Sequence, residues 1–131
     1  MPWFSRKKSD DEPVDLNDRS PQLGIKYKDL QILGMLMAAG ADIRQARHAL
    51  YYLYFSTPEA AEAGANAARA AGYTCNVGEP IPERPDLWML TCERPDVVLE
   101  PTNVIAADDL FQGIADRHGG EFDGWEASAQ P

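Results

Sequence analysis

The nine residues from Arg47 to Phe55, which read RHALYYLYF, constrain the fold of this chain more than any other segment. Almost all of them are apolar or aromatic, and aromatic side chains are enriched in strands. A run of this kind is typical of a strand that is covered on at least one face. The sequence therefore predicts a central β-strand here.

A helix is predicted before this strand, beginning near Tyr27. Leu30, Leu33 and Met37 recur at helical spacing and give the helix one apolar face. Gly40 follows the last of them and is suited to end the helix in a left-handed conformation.

Two more helices are predicted from their end signals. Thr57-Pro58-Glu59 supplies an N-cap residue, a proline at the first helical position and an acidic residue in the first turn. Alanines dominate the segment that follows, and Gly72 ends it. A last helix begins at Pro101-Thr102 and is stopped by Gly119-Gly120.

Three further strands complete the pattern: Tyr73–Val77, Leu87–Glu93 and Glu121–Ala127. The segment Val97–Leu99 fits either the end of a strand or a packed loop. After the first helix, the order is therefore β-α-β-β-α-β. This order predicts an α+β fold of the ferredoxin-like type, a sandwich in which a four-stranded antiparallel sheet has two helices on one face. An extra N-terminal helix precedes it.

Composition divides the chain into a tail and one domain. Its 131 residues are the size of a single domain. Residues 1–26 are predicted to form a flexible tail of mixed charge, 27–127 the domain, and 128–131 a frayed end. Because the chain has neither an apolar run of the roughly 18–20 residues that span a membrane nor a secretory signal, we expect a cytoplasmic protein.

Charge is distributed unevenly along the chain. Residues 1–28 contain six basic and five acidic side chains, whereas residues 29–131 contain 16 carboxylates and six arginines, a net charge of −10. A body this acidic repels the phosphate backbone of a nucleic acid. The net charge either serves solubility alone or forms a surface that attracts a basic partner.

No catalytic, cofactor or metal site is predicted. His48, His118, Cys75 and Cys92 lack the short spacing of a zinc motif, and the chain has neither a nucleophile elbow nor a phosphate-binding glycine loop. His118 suits the end of the last helix, where a cation is favoured, with a general base as the alternative. Cys75 and Cys92 fall on neighbouring predicted strands, where we expect packed free thiols, with a cross-strand disulfide as the alternative.

The aromatic residues suggest one function, that of an RNA-binding module. RNA-recognition motifs share this topology and stack bases on aromatic side chains of their strands. Alternation places Tyr52 and Tyr54 on one face of the central strand. It places Tyr51 and Phe55 on the other, and one pair should face away from the helices. Trp88 could extend such a platform. The acidic charge and the absence of a basic-glycine-aromatic signature in LWMLTCE favour a covered or protein-binding sheet face instead.

The end of the chain contains a more specific motif. Phe122-Asp123-Gly124-Trp125 resembles the closing (Tyr/Phe)-Asp-Gly-Trp signature of the regulator of ribonuclease E activity B (RraB-like) family. Gly40-Ala41-Asp42, Arg47-His48 and Ala70-Ala71-Gly72-Tyr73 are similar to other stretches of that family, in the same order. The resemblance covers roughly residues 27–127.

This resemblance implies a non-enzymatic bacterial protein of ferredoxin-like fold without a cofactor. Studied members of the family bind the endoribonuclease RNase E at its non-catalytic region and lower its activity. Such scaffold regions are rich in arginine, so an RNase E/G-type partner agrees with the acidic body. Self-association through the open side of the sheet is compatible with this function.

Candidate partner-binding residues follow from the resemblance and the charge: Asp108, Asp109, Asp116, Glu121, Asp123, Trp125 and Glu126. Tyr52 and Tyr54 are candidates for contacts on the sheet face.

The signature strand itself allows two interpretations. Regular alternation places Phe122 and Gly124 on one face of the strand, and Asp123 and Trp125 on the other. Trp125 then either fills the edge of the core or contacts the partner directly.

Overall fold

The predicted element order is confirmed by the computed structural model, which describes residues 15–131. The elements are α1 (Tyr27–Ala38), β1 (Arg47–Phe55), α2 (Pro58–Ala70), β2 (Thr74–Gly78), β3 (Trp88–Val97), α3 (Pro101–Arg117) and β4 (Glu121–Ala127). The strands form one antiparallel sheet in the order β2-β3-β1-β4. The aromatic run is therefore an interior strand, and the fold is the predicted ferredoxin-like arrangement with an added N-terminal helix.

Local signals set the ends of the elements. The Thr57 side chain accepts a hydrogen bond from the backbone N–H of Ala60 at 3.1 Å and caps α2. Gly72 has a φ of +99° just after that helix, a conformation that favours glycine. β3 is longer than predicted because Val97 still pairs with Arg47 of β1, so the ambiguous segment begins as strand and continues as loop.

The core lies between the sheet and the helices, on what we call the helix face. Ala49, Tyr51, Leu53 and Phe55 of β1 are all at most 3% exposed. Helix α2 can approach the sheet closely because its inward residues are small. A Cβ on Gly64, for example, would lie 2.9 Å from the Phe55 ring.

The prediction of a flexible tail up to residue 26 is wrong for residues 15–26, which pack on the domain. Ile25 is 1% exposed and belongs to the core. Backbone hydrogen bonds join Ser20 to Ile25 and Tyr27 to Asp18. The polar composition of this segment did not indicate that Ile25 would be buried, or that Arg19 and Lys26 would pair with Asp108 of the domain. The rest of the predicted tail, residues 1–14, lies outside the described residues.

The last residues are also held more firmly than predicted. Arg47 is completely buried, and its Nη1 donates to the carbonyls of Ser128 and Ala129 at 2.9 and 3.0 Å. Its Nη2 donates to the carbonyl of Asp42. The first half of the segment predicted to be frayed is therefore fixed to β1, because a buried guanidinium needs acceptors and the nearby backbone supplies them.

The predicted alternation along β4 is wrong at the signature. Phe122 pairs with Leu53 and Gly124 pairs with Tyr52, which leaves Asp123 as an extra residue in β4. This is a β-bulge, and Gly124 allows it with a φ of +137°. The bulge brings Phe122 and Trp125 to the same side, the helix face, where both are buried.

Candidate functional site

The face of the sheet opposite the helices, which we call the open face, is formed by the other half of the strand residues. By register, it comprises His48, Leu50, Tyr52 and Tyr54 of β1, Met89, Thr91 and Glu93 of β3, and Glu121 and Glu126 of β4. Tyr52 and Tyr54 share one face, as alternation predicts, and of the two pairs theirs is the one that faces away from the helices. Three glutamates accompany the two tyrosines, which gives the face an acidic and aromatic character.

One end of the open face is occupied by an arginine of the chain itself. Arg84, from the connection between β2 and β3, lies over Tyr54 with its guanidinium carbon 4.6 Å from the ring centroid. Its Nη2 donates to Glu121 at 3.0 Å, and Tyr54 is only 8% exposed as a result. Sequence analysis missed Arg84, since no local pattern links a loop arginine to a tyrosine 30 positions earlier.

The middle of the open face also combines a tyrosine with glutamates, and it is more exposed. Tyr52 is half-buried, and burial followed by the charge of Glu126 raises the pKa of its hydroxyl. Glu93 contributes to this shift in the same direction. Nε2 of His48 lies 2.6 Å from Oε1 of Glu93, and both side chains are more than 40% exposed.

The acidic residues of α3 lie elsewhere and differ in accessibility. Asp108 is 4% exposed and lies between Arg19, at 3.0 Å, and Lys26, at 3.1 Å. Asp109 shares the same arginine at 3.0 Å. Both are thus bound to the segment that precedes α1, and Asp108 offers almost no surface to a partner. Asp116 is exposed and accepts a hydrogen bond from Gln112.

Trp125 of the signature is an internal residue. It is 9% exposed, and its indole N–H donates to Oδ1 of Asp29 at 2.9 Å. Burial raises the pKa of Asp29, while this hydrogen bond opposes the shift. The structure thus places the signature tryptophan in the core, beside α1, and places Asp123 and Glu126 of the same strand at the surface. No local sequence signal pairs Asp29 with Trp125, since 96 positions separate them.

The third ring of the suggested RNA platform lies on the other side of the sheet. Trp88 is directly opposite Phe55 in the β1–β3 ladder and packs against the core. A base-stacking surface on the open face would therefore have to do without it. Tyr54 is also covered by Arg84, which leaves Tyr52 as the accessible ring of the pair.

The two cysteines face each other across β2 and β3. Cys75 pairs with Cys92 in register, and their sulfur atoms are 3.3 Å apart as free thiols. Burial raises the pKa of both thiols. They lie on the helix face and take no part in the open face.

A cavity of about 370 Å³ lies between α3 and the end of β3, lined among others by Tyr51, Tyr73, Arg94 and Asn103. Arg94 lies over the Tyr73 ring at 5.4 Å and pairs with Asp96 at 3.2 Å. The charged side chains of Arg94 and Asp96, which both line the cavity, are thus paired with each other.

Within residues 15–131, no three metal-binding side chains are grouped so that they could hold an ion. Every helix in that range falls short of the length and apolar character that a membrane span requires.

Comparison with known proteins adds one finding. The family model described as RraB, regulator of ribonuclease activity B, matches residues 27–127 of this chain. The search of curated proteins gave no match. The matched range contains α1, the whole sheet and the signature strand.

Proposed function

Because this chain belongs to the RraB family, the regulators of ribonuclease activity B, we propose that it binds an RNase E/G-type endoribonuclease and lowers its activity. The protein acts by association and catalyses no reaction itself. The site on the enzyme is a basic region outside its catalytic domain, and the encounter takes place in the cytoplasm.

The charge of the domain is the observation that best supports this proposal. Residues 29–131 have a net charge of −10, and the open face exposes Glu93, Glu121 and Glu126 beside an accessible tyrosine. A surface of this kind attracts an arginine-rich segment and repels RNA. Complementary charge also speeds the encounter, and salt weakens it.

The alternative, an RNA-binding module of the RNA-recognition-motif type, receives no support from the open face. Such modules stack two or three bases on strand aromatics. Here Trp88 faces the helices and Tyr54 lies under Arg84, so one ring remains, with glutamates on both sides.

An RNA cleavage assay tests the proposal. The full chain is titrated into full-length RNase E/G-type enzyme from the same organism and, in parallel, into the catalytic domain of that enzyme. We expect slower cleavage by the full-length enzyme and no change with the catalytic domain. Unchanged cleavage by both enzymes would refute the proposal.

Salt and charge provide the second arm of this test. Raising the salt concentration from about 50 to 300 mM should weaken inhibition, because the Debye length shortens from roughly 14 to 6 Å. Asp116→Asn removes one exposed charge from α3 without touching the core. Asp108 is unsuitable for this purpose, since neutralising it would leave Lys26 and Arg19 without their buried partner.

A further inference from the structure

The open face contains two copies of one arrangement, a tyrosine with glutamates beside it, and among residues 15–131 only the first copy has a cation over its ring. In the first copy, the guanidinium of Arg84 lies on the Tyr54 ring and is hydrogen-bonded to Glu121, the residue opposite Tyr54 on β4. Stacking on an aromatic ring and pairing with a carboxylate are the two contacts that a planar guanidinium makes best.

The second copy lies two residues away along β1. Tyr52 faces the same side as Tyr54, and Leu50, the next residue on that face, has Glu126 opposite it on β4 and Glu93 opposite it on β3. The ring therefore has a carboxylate on each flank. Both carboxylates act on its hydroxyl, as the raised pKa of Tyr52 indicates.

Within residues 15–131, the cation–π contacts involve Tyr54, Tyr73 and Phe122, and none involves Tyr52. His48 is bonded to Glu93, and Glu126 acts on the hydroxyl of Tyr52. Tyr52 is accessible, whereas Tyr54 is buried by its arginine. The second copy thus has an accessible ring and an exposed Glu126 available to a cation from outside, and Glu93, although paired with His48, lies on the other flank.

We propose that an arginine from a basic segment of the partner protein binds over Tyr52, between Glu126 and Glu93, as Arg84 binds over Tyr54. This inference rests on the proposed function for the identity of the partner and specifies where and by what chemistry it is recognised. Arginine is preferred to lysine because the planar guanidinium stacks on the ring and pairs with a carboxylate at the same time.

The direct test measures binding of two synthetic peptides to the full chain by fluorescence anisotropy. One peptide contains arginines spaced by glycine and serine, and the other contains lysines at the same positions. We expect the arginine peptide to bind several times more tightly. Equal affinities would overturn the proposal, because net charge alone treats the two peptides alike.

Variants of the open face locate the site. Tyr52→Leu keeps a strand-compatible apolar side chain but removes the ring face, and Glu126→Gln removes one charge. Each should weaken binding of the arginine peptide by about threefold to tenfold, the range of a partly desolvated cation–π or charge contact. Glu59→Gln is the matched control, since it makes the same change at an exposed position of α2, on the other side of the sheet. Equal losses from Glu126→Gln and Glu59→Gln would refute a specific site.

Arg84→Gln gives an independent check, because it empties the first copy. The structure predicts that it exposes Tyr54 and Glu121 and increases, or leaves intact, the binding of the arginine peptide. A loss of binding equal to that of Tyr52→Leu would overturn the assignment of the site to Tyr52. Thermal unfolding confirms that each variant is folded.

The cleavage assay separates this inference from the proposed function. If Tyr52→Leu and Glu126→Gln inhibit the full-length enzyme as well as the unchanged chain does, the site is wrong and the proposed function stands. If the unchanged chain fails to inhibit while the arginine peptide still requires Tyr52, the site stands and the proposed function fails. Single-stranded RNA that binds through Tyr52 and competes with the peptide would overturn the choice of a protein partner.

Discussion

The two faces of β1 show how one strand serves two purposes. Ala49, Tyr51, Leu53 and Phe55 point to the helix face and are almost completely excluded from solvent. Leu50 and Tyr52 alternate with them and remain half-exposed on the open face. Every second residue therefore contributes to stability, and the residues between them set the charge and shape of the open face.

β4 divides in the same way, although its bulge changes the spacing. Phe122 and Trp125 enter the core, and Asp123 and Glu126 remain at the surface. Of the four signature residues, two are therefore buried, Gly124 forms the bulge and Asp123 is exposed. Substitutions should separate the two faces: those on the helix face should lower stability, and those on the open face should change binding.

The largest effect is expected for Phe55→Ala on the helix face. Phe55 is fully buried under α2, and deleting such a ring costs about 3–5 kcal/mol of unfolding free energy. Tyr52→Ala is the counterpart on the open face and should cost less than about 1 kcal/mol, because its ring stays partly in water. Urea unfolding measures both, and similar losses would break the distinction between the two faces.

Arg47→Leu should follow in size, because Arg47 is the polar exception among the buried residues of β1. Its guanidinium donates to the carbonyls of Asp42, Ser128 and Ala129. Leaving buried acceptors unpaired costs on the order of 2–3 kcal/mol. Arg44→Leu is the control, since Arg44 is 79% exposed and its ion pair with Asp42 contributes little. Equal midpoints in urea for the two variants would disprove the anchoring role of Arg47.

A smaller effect is expected at Asp29, where α1 meets the signature strand. Asp29→Ala leaves the indole N–H of Trp125 without its acceptor and should cost about 1–3 kcal/mol. Asp29→Asn keeps an acceptor without a charge, so at pH 7 it should be at least as stable as the unchanged protein.

The pH dependence at Asp29 has a definite sign. Because the pKa of the folded state is raised, this group favours the fold below its ordinary pKa, and that contribution is lost as the pH rises through the folded value. Asp29→Asn should therefore flatten the part of the stability profile that lies above about pH 4, the ordinary pKa of an aspartate. The neighbouring Asp108, Lys26 and Lys28 stay in place in both proteins. A profile that keeps its shape would contradict the raised pKa.

The smallest effect concerns the thiols of the helix face, whose modification reports on how closed that face is. Because burial raises the pKa of Cys75 and Cys92, little thiolate is present at pH 7. Alkylation by iodoacetamide should be several times slower in the folded chain than in urea, and its rate in the folded chain should keep rising above about pH 8.5, where the rate of an ordinary thiol levels off. Mass spectrometry follows the reaction, and equal rates in both states would show that α2 leaves this end of the sheet open.

The sequence by itself determined the order of the elements and the alternation along β1. The aromatic run of β1, the Thr57-Pro58 start of α2 and the glycines before β4 are signals read within a few residues, so they predict local structure well. Strand alternation likewise placed Tyr52 and Tyr54 on a common face, and the Asp-Gly-Trp ending identified the family.

Only the tertiary structure decided which polar residues are internal. Asp108 is buried because Arg19, 89 positions earlier in the chain, pairs with it. Trp125 donates to Asp29 of α1, which lies 96 positions earlier in the sequence. Arg84 covers Tyr54 only because a loop folds back over the sheet. The bulge at Asp123 depends on the register of β4 against β1, which no spacing within β4 specifies. Local patterns are fixed by neighbours along the chain, whereas these contacts arise between residues that become neighbours only when the chain has folded.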